Sequence, residues 1–167
     1  DYYSAAIPGG CDAVCLFESF GMGTDAEQRR LLRRIAAEWL APGGVALVDV
    51  YHPFGPVRKA GTELALERLE DVPGSLDMTE RSYYDGVLGR WIDEWEPLGA
   101  PQDTRRQSIR CYTPADMLLL LEGTGLKIAH AEFDGRLFDF QPAQVATTSP
   151  VNDYEKNYAY TLVLQLA

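Results

Sequence analysis

The chain has 167 residues, of which 46% are hydrophobic and 24% are charged, and its formal net charge is -10. These values predict one soluble globular domain, and the acidic surface argues against nucleic acid and anionic membranes as partners. No apolar run approaches the ~20 residues of a membrane span. The cysteines form no CxxC pair, which argues against zinc and disulfide frameworks and predicts reduced thiols in a cytoplasmic protein.

The first third of the chain predicts a strand, a helix and a second strand. Residues 12–17 are a compact apolar run, typical of a parallel strand buried on both faces. A capping box at residues 24–27 opens a helix with one apolar face that continues to Leu40. A Pro-Gly-Gly turn at residues 42–44 ends the helix, and residues 45–51 predict the second strand. We expect these elements to form a right-handed βαβ unit.

A long insertion follows, over residues 54–111. It contains a weakly helical stretch at residues 63–69 and two alternating segments at residues 78–84 and 88–95, which flank a turn. These alternating segments predict an antiparallel hairpin, and residues 107–112 predict a third short strand beside it.

The last part of the chain returns to the main sheet. A second capping box at residues 113–116, with proline at the first helical position, opens a short helix. Residues 126–133 predict a strand, and residues 134–156 are mostly loop. Residues 158–166 alternate as an antiparallel strand near a sheet edge does.

Four stretches carry a family resemblance by their motifs, order and spacing. They are Cys-Asp-Ala-Val-Cys-Leu-Phe at 11–17, the Leu-Ala-Pro-Gly-Gly stretch at 40–50, the Tyr-Thr-Pro stretch at 112–126 and the alternating residues 158–166. In this order they resemble strands four to seven of a class I S-adenosylmethionine-dependent methyltransferase. The resemblance implies an α/β fold: a partial Rossmann-like sheet within one methyltransferase-like domain over residues 1–167, with the antiparallel insertion at 54–111 as a lid.

The family's glycine-rich cofactor loop and its ribose-binding acid have no counterpart before Asp12. The resemblance therefore implies roughly 80–100 further residues, from three strands and their helices at ordinary connection lengths. We expect this N-terminal half in the same polypeptide or as a second chain, and we favour the first. A second copy of the chain, which would give a homodimer, is a further partner that the sequence leaves open. A non-catalytic assembly subunit, in which the first strand pairs with another chain, is an alternative reading.

The activity that the resemblance implies is methyl transfer from S-adenosyl-L-methionine to a small-molecule acceptor by in-line displacement. By position in the family, the cofactor contacts are Asp1, Phe17 and Glu18. Aromatic side chains with interleaved arginines in the insertion suit a flat, partly anionic or phenolic acceptor. The same side chains are equally suited to a small core or a dimer contact. The residues expected on the acceptor side are Phe20, Tyr51, Tyr84, Arg90, Trp91 and Arg110.

Two residues are candidate catalytic groups. His52 ends the second predicted strand, and an imidazole with an ordinary pKa of about 6.5 is able to take a proton from a phenol. The alternative for His52 is an ordinary turn residue before Pro53. Glu18 follows the first strand, where it is able to orient an amine or a hydroxyl, and its alternative is a loop acid that faces water.

A rival motif lies at residues 21–26, which match GxGxxA between a strand and a helix. Asp49 ends the next strand some twenty residues on, as in the dinucleotide fingerprint, which predicts a nicotinamide-dependent oxidoreductase. Residues 18–20 argue against it, because they separate the strand from the first glycine. The acids of the insertion show no metal-ligand spacing, so we predict solvated charges and no metal site. These acids are Asp71, Asp77, Glu80, Asp93, Glu94 and Glu96.

Overall fold

The structure, a computed structural model, describes residues 2–133, 135–138 and 158–167. The strands are β1 (Cys11–Leu16), β2 (Leu40–Tyr51), β3 (Glu63–Leu66), β4 (Met78–Asp85), β5 (Arg90–Pro97), β6 (Arg105–Arg110), β7 (Leu126–Phe133), β8 (Arg136–Phe138) and β9 (Ala159–Leu166). The helices are α1 (Asp25–Arg34), α2 (Phe54–Lys59) and α3 (Pro114–Leu121), with a π-helical turn at Ile35–Trp39 and a 3-10 turn at Pro101–Asp103. None of the helices in these ranges is both long enough and apolar enough to cross a lipid bilayer.

The main sheet has the order β1-β2-β9-β7-β8. β1 and β2 are parallel, whereas β9 runs antiparallel to both of its neighbours, β2 and β7. The predicted antiparallel direction of the last strand is therefore confirmed, but its place near an edge is wrong. β9 lies inside the sheet because β7 and β8 pair beyond it. Residues 136–138 of the predicted 134–156 loop form β8, and residues 139–157 lie outside the described ranges.

The predicted βαβ unit is confirmed, and its helix begins as expected. Thr24 and Glu27 form the capping box, in which each side chain accepts a hydrogen bond from the other residue's backbone. The apolar face of the helix packs on the sheet, where Leu32, Ile35 and Trp39 are almost fully buried. A π-helical turn ends the helix, and β2 begins directly after it at Leu40 rather than at residue 45.

β1 is less buried than its apolar sequence predicts. Asp12, Ala13 and Cys15 are exposed, and Leu16 is the one buried residue of the strand. Within the described part of the chain β1 has a single neighbour, β2, because it stands at one edge of the sheet. The prediction of burial on both faces is thus wrong for this chain, and β1 presents an unpaired backbone edge.

The insertion forms its own antiparallel sheet, with the order β3-β4-β5-β6. The predicted hairpin is confirmed as β4 and β5, whose register pairs Tyr84 with Trp91 and Ser82 with Asp93. The predicted helix at residues 63–69 is wrong, because residues 63–66 pair with β4 as β3. The mixed α/β class with an antiparallel insertion is confirmed.

Candidate functional site

The carboxyl ends of the parallel strands β1 and β2 meet at one edge of the main sheet, where ligands of open α/β sheets bind. Phe17 and Glu18 follow β1 there, and Tyr51 ends β2. Phe17 is 55% exposed, so a large apolar ring stands free at this edge. Glu18 is exposed as well and has a φ of +53°, in the left-handed region. Such strain in a residue other than glycine clusters at functional sites.

Three aromatic rings form a wall between this edge and the insertion, and we call Tyr51, Trp91 and Tyr158 the aromatic wall. The Tyr51 ring meets Trp91 edge to face at 5.4 Å between centroids, and Trp91 stacks on Tyr158 at 5.7 Å. The Lys59 ammonium lies 5.3 Å from the centre of the Trp91 ring. Gly55 makes the wall possible, because a Cβ at this position would collide with the Tyr158 ring.

Asp93 lies beside the aromatic wall and is 9% exposed. The Trp91 indole Nε1 donates to Asp93 Oδ1 at 2.9 Å, and the Ser82 hydroxyl donates to the same oxygen. The prediction of a solvated charge is wrong for this residue. The sequence pattern contains this information, because side chains alternate along a strand. Asp93 lies two residues from Trp91 on β5 and therefore on the same face.

Tyr51 lies in an acidic environment. Burial raises the pKa of its hydroxyl, and four neighbours raise it further: Glu18, Asp49, Cys111 and Asp93. The hydroxyl therefore stays protonated near neutral pH and is a hydrogen-bond donor rather than a base. Asp49 is fixed by the Thr161 hydroxyl, which donates to its Oδ1 at 2.6 Å. This edge combines aromatic faces with negative charge.

Tyr84 faces the same side of the insertion as Trp91, since the two residues are register partners. Its side chain is half-buried, and burial is the main cause that raises the pKa of its hydroxyl. Tyr84 therefore remains a candidate for acceptor contact.

Arg90, which sequence analysis predicted on the acceptor side, is hydrogen-bonded to the protein itself. Its guanidinium donates to the carbonyls of Gly21, Met22 and Gly23 at 3.0–3.1 Å. It also donates to the hydroxyl and the carbonyl of Ser108, both at 2.7 Å. Arg90 therefore fastens the insertion to the loop that follows β1.

Arg110 is also engaged by the protein itself. Its Nε lies 3.3 Å from the Asp25 carboxylate, and its guanidinium lies 4.6 Å from the centre of the Tyr112 ring. Its Nη1 donates to the carbonyls of Gly89 and Cys111. These contacts give Arg110 a structural role, whereas sequence analysis predicted an acceptor-binding arginine.

Phe20 lies in the core rather than in the acceptor pocket. Its exposed fraction is 0%, and its ring packs 5.7 Å from that of Tyr112. The prediction of a substrate contact is therefore corrected, because the ring has no accessible surface.

His52 is buried, with 3% of its surface exposed. Its Nδ1 accepts a hydrogen bond from the backbone N–H of Phe54 at 3.2 Å, where α2 begins. Burial lowers the pKa of the imidazole to about 4, although the charge of Asp116 opposes the shift. The structure thus corrects the prediction of a catalytic base, because His52 is a neutral residue that holds the turn before α2.

The loop at residues 21–26 is not arranged for a pyrophosphate. The N–H of Gly23 donates to the Tyr3 hydroxyl at 2.7 Å, and that of Thr24 donates to the Glu27 carboxylate at 2.8 Å. Its carbonyls point instead at the Arg90 guanidinium. A loop that offers carbonyls and a carboxylate repels an anion, so the geometry does not support the oxidoreductase reading.

The three cofactor contacts that sequence analysis predicted have two different outcomes. Asp1 lies outside the described residues. Phe17 and Glu18 stand free at the end of β1, and an aromatic ring beside a carboxylate suits a cationic sulfonium. In the portion of the chain that is described, no three His, Cys, Asp or Glu side chains form a group suited to a metal ion.

The fold is the one found in solved S-adenosylmethionine-dependent methyltransferases. The methyltransferase CcbJ from Streptomyces caelestis matches with a TM-score of 0.69 and 20% identity, over 100% of this chain and 62% of that chain. A methyltransferase from Clostridium acetobutylicum matches with a TM-score of 0.67 and 11% identity, over 100% of this chain and 63% of that one. CalS10, an amino pentose methyltransferase from Micromonospora echinaspora solved with S-adenosylmethionine bound, matches with a TM-score of 0.54 and 20% identity, over 98% and 62%.

These similarities confirm the predicted resemblance at the level of the fold. The chain spans about 62% of the length of the first of these structures. No family model matches the sequence, and no curated protein matches it. At sequence identities of 11–20% the similarity defines the fold alone, and evidence for the reaction comes from the side chains.

Proposed function

We propose that this chain is part of an S-adenosylmethionine-dependent methyltransferase and supplies the acceptor side of its active site. One observation carries the proposal: the fold of solved methyltransferases extends over the whole chain, and its parallel strand ends carry Phe17 and Glu18, which are exposed, and Tyr51, which is half-buried. Strand ends at this edge are where open α/β sheets bind their ligands. The four-stranded insertion then covers the acceptor as a lid.

Bound S-adenosylmethionine would supply an electrophilic methyl group, which an acceptor lone pair takes as the carbon–sulfur bond breaks and its electron pair stays on sulfur. Phe17 and Glu18 are proposed to contact the cofactor. The aromatic wall holds the acceptor flat and excludes water, with Tyr84 at its side. Glu18 orients the reacting group of the acceptor, since alignment of the two reactants supplies much of the rate.

The remainder of the cofactor site is proposed to come from a part of the protein outside this chain. Two observations support this: among the described residues only β2 pairs with β1, whose residues are largely exposed, and the chain spans 62% of the length of CcbJ. We propose that a further parallel strand pairs with β1, within the same polypeptide or from a second chain. Pairing of this edge in a non-catalytic assembly is the alternative, and a homodimer stays a prediction. The three free thiols support a reducing compartment such as the cytoplasm.

Calorimetric titration of the full-length protein with S-adenosylhomocysteine tests this proposal. The expected result is saturable binding of one ligand, with a matching rise in the melting temperature. NADH serves as the control and is expected to release no heat. If S-adenosylhomocysteine gives neither heat nor a thermal shift, the methyltransferase proposal fails. If NADH binds instead, the oxidoreductase reading replaces it.

A further inference from the structure

Asp93 is a buried carboxylate that forms no ion pair with a described Lys, Arg or His side chain. Burying a charge is costly unless an opposite charge or several hydrogen bonds compensate it. Trp91 and Ser82 both donate to Oδ1, whereas no described side chain donates to Oδ2. Since the residue is 9% exposed, water reaches this carboxylate poorly. One oxygen is thus left for a ligand.

Three basic side chains of this region are engaged by other groups of the protein. The Lys59 ammonium lies 3.1 Å from the Glu80 carboxylate, in a pair whose two side chains are both largely buried. Arg90 is bonded to the loop after β1, and Arg110 is paired with Asp25. Across the described ranges, no Lys, Arg or His lies within salt-bridge distance of Asp93. A bound cation would supply the compensating charge that these side chains do not.

The surroundings of Asp93 suit a cation. Asp93 and Trp91 lie two residues apart on β5 and share one face, where Trp91 stacks on Tyr158 and meets the edge of Tyr51. The Lys59 ammonium already lies 5.3 Å from the centre of the Trp91 ring, so this ring is in an environment that accepts a cation. Aromatic faces attract ammonium groups, and the attraction grows as water is excluded. Glu18 at the end of β1 contributes a further negative charge near Tyr51. An anionic or phenolate acceptor would meet repulsion from these carboxylates, which reverses the acceptor class that the arginines of the sequence predicted.

We propose that Asp93 binds the ammonium group of the acceptor, so that the acceptor is a small molecule carrying a primary or secondary amine. The inference rests on the proposed methyltransferase function and names the class of its substrate. Asp93 anchors the ammonium ion through Oδ2, while Trp91 supports the adjoining apolar part of the molecule. Asp93 is then the residue that selects amines over alcohols and carboxylates.

Binding of matched probes to the full-length protein, saturated with S-adenosylhomocysteine, tests this inference. The probes are benzylamine, benzyl alcohol and benzoate, which share a ring and differ in charge. We expect calorimetry to show at least tenfold tighter binding of benzylamine than of the other two. In Asp93→Asn this preference is expected to disappear, because the amide keeps an acceptor for Trp91 and Ser82 but loses the charge. The affinity for S-adenosylhomocysteine is expected to stay unchanged, which also shows that the variant is folded.

Glu94→Gln is the matched control, since Glu94 is the next residue of β5 and pairs on the opposite face with Arg106 at 2.8 Å. This variant is expected to keep the benzylamine preference. If both variants lost the benzylamine preference equally, that preference would follow from net charge rather than from Asp93, and the inference would be overturned. Absence of the preference in a wild-type protein that binds S-adenosylhomocysteine would also overturn it, while the methyltransferase proposal would stand. Failure to bind S-adenosylhomocysteine would overturn both.

Discussion

Arg90 links the insertion to the loop after β1 through hydrogen bonds, so we expect Arg90→Lys to lower the stability of the protein. The guanidinium makes five hydrogen bonds, three of them to the carbonyls of Gly21, Met22 and Gly23. An ammonium group is a point charge with three donors and cannot span these acceptors. If two or three bonds are lost at about 1 kcal/mol each, the free energy of unfolding falls by roughly 2–3 kcal/mol. For a protein of this size that corresponds to a decrease of roughly 5–10 °C in melting temperature.

The assay is chemical and thermal unfolding of the full-length protein, followed by circular dichroism. Arg106→Lys is the control, because Arg106 is 62% exposed and pairs with Glu94 at the surface. Its substitution is expected to change stability by less than ~0.5 kcal/mol. If Arg90→Lys leaves stability within the same limit but weakens acceptor binding, Arg90 is a substrate ligand and the structural reasoning is refuted.

Two further predictions concern the turn before α2 and the aromatic wall. Burial lowers the pKa of His52 from 6.5 to about 4. Between these pH values the imidazole is protonated in the unfolded chain and neutral in the folded protein. Stability should therefore fall by roughly 3 kcal/mol as the pH drops through this window, and His52→Asn, which keeps an acceptor for the Phe54 N–H, should flatten the profile of unfolding free energy against pH. An unchanged profile would contradict the burial argument. Gly55→Ala should displace the Tyr158 ring from Trp91 at a cost of about 1–3 kcal/mol, and the indole fluorescence should change with it; an unaltered spectrum would show that the wall is not packed as described.

Sequence signals that act within a few residues predicted the helix starts and several strands well. The capping boxes at Thr24 and Thr113 fix where α1 and α3 begin, because a side-chain oxygen and a backbone N–H three residues apart determine that geometry. Strict alternation likewise identified β4, β5 and β9. The place of β9 inside the sheet was missed, since strand order depends on contacts between distant segments.

The candidate site was harder to predict for the same reason. Arg90 and Arg110 looked like acceptor ligands beside aromatic residues, but their partners are carbonyls and a carboxylate from distant parts of the chain. Asp93 looked like one of several surface acids, because charge alone does not reveal burial. The alternation of β5 placed it on the face of Trp91, and applying this alternation residue by residue would have separated Asp93 from Glu94.

A crystal structure of the full-length protein with S-adenosylhomocysteine tests whether this chain supplies the acceptor side of a methyltransferase site. We expect a further parallel strand to pair with the open edge of β1. The sulfur atom of the ligand is expected beside Phe17 and Glu18, facing the aromatic wall. A ligand bound away from this strand end, or a β1 edge left open to solvent in the complete protein, would contradict the proposed function.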